Sequence, residues 1–253
     1  MRHRHVTMFA ITVTSAAMLA FSATRSVRAF DDDDQDRLRA IPGIFVGAAG
    51  DCGVGYPAGS RVVTAAWLGG MGLPDNDGSN QDDPHRGLLL SKNGPTADCS
   101  AAGATIQGVR GMLVTPTFEL GFDYRNGGHC GAGAPRYNVV AKPPVGPNTP
   151  HFVGGCSNGI RTPAPQDPLE WTRVRFTNAQ AFPPLVAGSQ IVSIELIFDE
   201  GTNEPLLLDD PNGVGLAVVD NLDINGALIS SGNGTADGTD RGGDHDDHDR
   251  DRD

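Results

Sequence analysis

The chain has 253 residues, with 19 Lys and Arg against 31 Asp and Glu for a net charge of −12, and it holds 34 glycines and 18 prolines. An acidic chain without a basic patch repels phosphate backbones, which excludes nucleic acid as a partner. No apolar run reaches the roughly 20 residues that cross a bilayer, so the sequence predicts no transmembrane segment.

Arg2, His3, Arg4 and His5 make a basic start, residues 8–20 are largely apolar, and Val27, Arg28 and Ala29 precede Phe30. Residues 1–29 therefore read as a secretory signal peptide, and the protein is expected to be secreted or extracytoplasmic. Cleavage after Ala29 removes four arginines and no acid, which leaves 15 basic against 31 acidic residues, or −16. Residues 30–40, opening on DDDDQD after Phe30, read as an acidic disordered linker. Residues 231–253 read as an acidic His/Asp-rich disordered tail with eight Asp and three Arg. Both ends have too few apolar residues to offset the entropy of ordering. Residues 41–230 remain, the size of one all-β domain with a real core.

In chain order, strands are expected over 60–68, 86–92, 110–115, 117–124, 136–140, 170–176, 190–200, 215–221 and 226–230. The clearest is TFELGFDY, where Phe118, Leu120, Phe122 and Tyr124 alternate with Thr117, Glu119 and Asp123. QIVSIELIFDE repeats the pattern, with Val192, Ile194, Leu196 and Phe198 opposite Ser193 and Glu195. Gly and Pro punctuate these runs, and no 3.6-residue apolar period sustains a helix. The expected fold is all-β, with an antiparallel two-sheet β-sandwich as the default over a barrel, and with disordered acidic ends.

Between the strands lie the candidate sites. Asp75, Asp77, Asp82 and Asp83 crowd into one loop and offer the oxygen ligands of a structural calcium ion, though without EF-hand spacing. The turn at 208–213 is a smaller candidate, and ordinary solvated turns have the same composition. Cys52, Cys99, Cys130 and Cys156 are an even set in an exported chain, hence disulfides, and pairing 52 with 99 and 130 with 156 closes the smaller loops. The competing reading takes His129, Cys130, His151 and Cys156 as a zinc site, without the tight C-x2-C spacing such sites use. In YRNGGHCGAGAPRYN, Arg125, His129, Arg136 and Tyr137 are residue types that stack on sugar rings and hydrogen-bond hydroxyls, which makes them the candidate ligand-binding set. Tyr124 belongs to the apolar face of its strand. GCSNG centres Ser157 in a G-x-S-x-G pattern, but Pro163, Pro165 and Pro168 prevent the helix a nucleophile elbow needs.

The closing stretch NGVGLAVVDNLDINGALIS resembles the last strands of galactose-binding-like jelly rolls, the group that includes many carbohydrate-binding modules. That resemblance covers about twenty residues, 212–230. It implies a two-sheet jelly roll, often with structural calcium, often binding sugars at loop tips or on a concave face. The expected function is an exported, non-catalytic binding module for an extracellular carbohydrate, a polysaccharide above all, or a cell-surface ligand. The alternatives are a structural or adhesive surface protein, and a secreted hydrolase using Asp123 with Glu119 or Glu195 with Asp199.

Overall fold

The computed structural model describes residues 38–74, 85–202 and 215–229. The signal-peptide reading of 1–29, residues 30–37 of the linker, the loop of Asp75, Asp77, Asp82 and Asp83, the 208–213 turn and the 231–253 tail lie outside the described residues.

The described residues form two antiparallel sheets packed as a sandwich. The first sheet contains β1 (Arg39–Val46), β4 (Ser100–Gln107), β11 (Gln190–Phe198), β6 (Arg136–Lys142), β7 (Thr149–Gly154) and β10 (Ala181–Phe182), in that spatial order. The second runs β2 (Val63–Leu68), β3 (Gly87–Lys92), β12 (Leu216–Ile224), β5 (Glu119–Arg125), β9 (Trp171–Thr177) and β8 (Ile160–Pro163), with β13 (Ala227–Ile229) also paired to β12. The chain alternates between sheets through β3, β4, β5 and β6. The late strands then insert centrally, β11 between β4 and β6 and β12 between β3 and β5. This is jelly-roll winding.

Period-two alternation builds the core. In β5, Leu120, Phe122 and Tyr124 point inward while Glu119, Gly121, Asp123 and Arg125 point out. Phe122 meets Phe176 of β9 at 5.8 Å and Tyr137 of β6 at 6.1 Å between ring centroids, so aromatic packing crosses the sandwich. The disulfides are Cys52–Cys99 and Cys130–Cys156, and no described cysteine is free. Each is worth roughly 3–4 kcal/mol in the chain-entropy account.

Three expectations need correction. The domain starts before residue 41, because Arg39 and Ala40 open β1; Ala40 is fully buried, and its carbonyl accepts Trp67 Nε1 at 3.0 Å. Residues 110–115 form no strand, only an isolated bridge from Leu113 to Gln190. The strand expected at 215–221 continues to Ile224 through a bulge, where Asn221 takes φ 46°, a conformation asparagine tolerates better than most residues. β1, β4, β7, β8 and β10 were not expected. RAIPGIFV reads poorly as a strand because of Pro42 and Gly43, which an edge strand tolerates. SAAGATIQ is made of small residues for a packing reason: a Cβ on Gly103 would come within 2.3 Å of the Leu196 carbonyl oxygen.

Candidate functional site

The four residues of the candidate binding loop do not converge. Arg125 is exposed at the end of β5, on the outside of the seven-stranded sheet. Tyr137 points the other way from its neighbour Arg136 and is fully buried, donating its hydroxyl to Gly121 O at 2.6 Å. Burial, helped by the Asp223 charge and opposed by Arg175, pushes that phenol well above its ordinary value, so it remains a neutral donor. His129 is 1% exposed, with Nε2 on Glu200 at 2.5 Å and its ring edge-on to Phe198. Arg136 is 7% exposed and forms a two-pronged pair with Asp199 at 2.5 and 2.7 Å while donating to Gly133 O. Glu200 also accepts Ala134 N at 3.1 Å. The glycine-rich loop is thus a latched corner, tied by Asp199, Glu200 and the Cys130–Cys156 disulfide. A Cβ on Gly131 or Gly133 would run into the Glu200 carboxylate at 2.2 Å, which is why those positions are bare.

The other sequence candidates also resolve. Cys130 and Cys156 are bonded to each other, and His151 Nδ1 lies 2.7 Å from Pro183 O, so the zinc quartet does not assemble. Among the described residues no group of three or more His, Cys, Asp or Glu is placed to hold a metal. Ser157 sits in a 3₁₀ turn between β7 and β8, a strand-turn-strand setting without the helix of an elbow. Asp123 is engaged by Arg173 and Asp199 by Arg136, so each proposed carboxylate pair has one member committed to an arginine.

The outer face of the six-stranded sheet carries a different set of residues. Register places Phe182, Phe152, Asn138, Glu195, Thr105 and Ile41 in one row, one from each strand. Paired residues of antiparallel strands share a face. Tyr137, Val153, Leu196 and Ala104 are their inward neighbours in the core, so this row faces out. Five strand spacings make it about 24 Å long. Phe182 is 72% exposed. The Arg136 guanidinium lies 4.7 Å from the Phe152 ring centroid and also donates to Asn138 Oδ1, which steadies both. Beside the row run Gly43 and Gly103, and nothing lies within 4 Å of a Cβ built on Gly43. The face is an open platform, aromatic at one end and polar in the middle.

Glu195 is the chemical centre of that row. It is half-buried, and among the described residues its carboxylate has no hydrogen-bond or ion-pair partner. Burial alone raises its pKa above the ordinary 4.5. A raised folded-state value favours the protonated form, so its stability contribution is complete below 4.5 and lost as pH rises through the folded value. Glu195→Gln should therefore melt higher than the native protein at neutral pH, with the gap closing below pH 4.5. Thermal melts across that range check this, and a pH-independent or reversed gap would refute it. A carboxylate that costs stability where it stands is the kind retained for a ligand.

Sequence reasoning placed Glu195 and Ser193 on the outward face of β11 but did not find Phe152, Phe182, Asn138 or Thr105 as a set. Only the strand register aligns them. Among the described residues no helix is long and apolar enough to cross a membrane, and the two disulfides are compatible with an extracytoplasmic location. Compared with known families and with curated proteins, the chain matches no family model and no curated protein.

Proposed function

We propose that the protein is an exported, non-catalytic binding module that holds an uncharged polysaccharide along the outer face of its six-stranded sheet. The observation that carries this reading is the row from Phe182 to Thr105, with the unpartnered Glu195 carboxylate at its middle. Aromatic faces stack on the C–H surface of sugar rings, and carboxylate, amide and hydroxyl groups bind their hydroxyls. A row about 24 Å long accommodates several sugar units end to end. The chain's net charge of −12 disfavours acidic glycans, which leaves neutral ones. The likeness of residues 212–230 to carbohydrate-binding jelly rolls points the same way.

The test is a glycan array followed by calorimetry on a bound glycan. Phe182→Ala and Glu195→Gln should each weaken binding about tenfold, or about 1.4 kcal/mol. Gly43→Trp should block it sterically without unfolding the protein, because that site is open and its φ is ordinary. Binding that survives all three variants removes the site; no binding to any neutral glycan removes the function. The burial of His129 against Glu200 and of Arg136 in its ion pair with Asp199 favours a second reading, a structural or adhesive surface protein, which absence of glycan binding would leave standing. Release of reducing sugar would instead make it a hydrolase.

A further inference from the structure

Lys92, the last residue of β3, is completely buried. Its ammonium lies 3.1 Å from Thr96 O, 3.3 Å from Asp98 O, 2.9 Å from Ser100 O, 2.9 Å from Asp199 O and 3.0 Å from Asp98 Oδ1. An ammonium has three protons to give, so five oxygens around one nitrogen exceed what its hydrogen bonds can serve. Four carbonyls and a carboxylate closing on a buried positive centre are the coordination sphere of a cation, built as carbonyl rings build cation sites elsewhere.

The carboxylate is fixed for that task. Burial on its own would raise the Asp98 pKa, but hydrogen bonds from Ser100, Ser60 and Lys92 outweigh it and hold the group at about 2. Ser60 Oγ and Ser100 Oγ each stand 2.5 Å from one of its oxygens. The backbone is fixed as well, by the Cys52–Cys99 bond, by Gly201 N donating to Thr96 Oγ1 at 2.6 Å, and by the Arg136 grip on Asp199. The chain uses 17 arginines and only two lysines, Lys92 and Lys142. One of those two is here, where a compact point charge fits and a planar fork does not.

We infer that the fold contains a cation site at the junction of β3, β4 and the end of β11, and that the Lys92 ammonium is its covalently attached occupant. The oxygens stand at 2.9–3.3 Å, beyond the roughly 2.3–2.6 Å of calcium ligands, and carry one formal charge, so the free ion that fits is a large monovalent one, potassium or ammonium. The protein thus supplies within its own chain the charge that a bound ion would otherwise supply, and this holds whatever the outer sheet face binds.

The decisive variant is Lys92→Met, which keeps the stem and removes only the ammonium. Its Tm in choline chloride should fall well below that of the native protein and should climb with the logarithm of potassium or ammonium concentration at constant ionic strength, as site binding requires. The native protein, its site filled, should show no such preference, and Lys92→Arg should not restore the native Tm. A Lys92→Met Tm that is the same in potassium, ammonium and choline chloride overturns the proposal. Should Lys92→Met fail to fold, Lys92→Ala refolded with n-propylammonium or n-propanol decides: recovery with the ammonium alone supports the site, and equal recovery or none with both overturns it.

Discussion

Tyr137→Ala should lower folding stability by about 3–5 kcal/mol, the range for truncating a large buried aromatic. Tyr137→Phe should cost about 1–3 kcal/mol, because it leaves the buried Gly121 carbonyl without its donor. The side chain is fully buried, its ring packs on Phe122, and its hydroxyl crosses from β6 in one sheet to the backbone of β5 in the other. The bond lands beside the β12 bulge, where the ladder between β5 and β12 is interrupted. Urea titrations of both variants provide the check. A loss under about 1 kcal/mol for the alanine variant would return Tyr137 to the surface and reopen its part in ligand binding.

The placement of Tyr137 shows where the sequence was legible and where it was not. Alternation in RYNVV puts Arg136 and Asn138 on one face and Tyr137 on the other, but it does not say which face meets the core. A tyrosine beside Gly-rich loop residues resembles a sugar-binding contact in composition, yet the inward parity of Val139 and Ala141 makes it core. β5 was readable because its inward residues are large and regular, and so was β11 from Ile194 onward; before that, a bulge between Ile191 and Ser193 puts Ile191, not the expected Val192, in the core. β4 was not, because close approach of Leu196 O holds Gly103 bare and its neighbours are small. The disulfide pairing followed from loop size, since the Cys52–Cys99 and Cys130–Cys156 separations are 47 and 26 residues. The outer-face row was unreadable for another reason. It takes one residue from each of six strands separated along the chain, so only the strand order and register assemble it.

The outer face of the seven-stranded sheet contrasts with this open row, and it supports the last prediction. There the charges are already matched. Asp123, with no exposed surface, accepts Arg173 Nε at 2.9 Å, Arg173 Nη2 at 3.0 Å and Asn221 Nδ2 at 2.9 Å. Arg175 lies across Gly121, where a Cβ would meet Arg175 Cδ at 2.5 Å, and pairs with Asp223 at 2.8 Å. The hydrogen bonds that Arg173 donates to Asp123 raise the Arg173 pKa further, so its guanidinium remains charged. Such a pair is weak evidence of net stabilisation, because desolvation offsets most of the attraction, but breaking it strands a charge. Asp123→Ala should therefore cost about 3–4 kcal/mol, near the lower end for buried pairs because the Arg173 side chain keeps 24% exposure. The double variant Asp123→Leu with Arg173→Met should recover most of that loss, since it removes both charges and keeps the volume. Denaturant midpoints of Asp123→Leu, Arg173→Met and the double variant measure the coupling. A double variant no more stable than Asp123→Ala would mean that the ladder stabilises the sheet through its charges, and would make this face the stronger candidate for a role beyond packing.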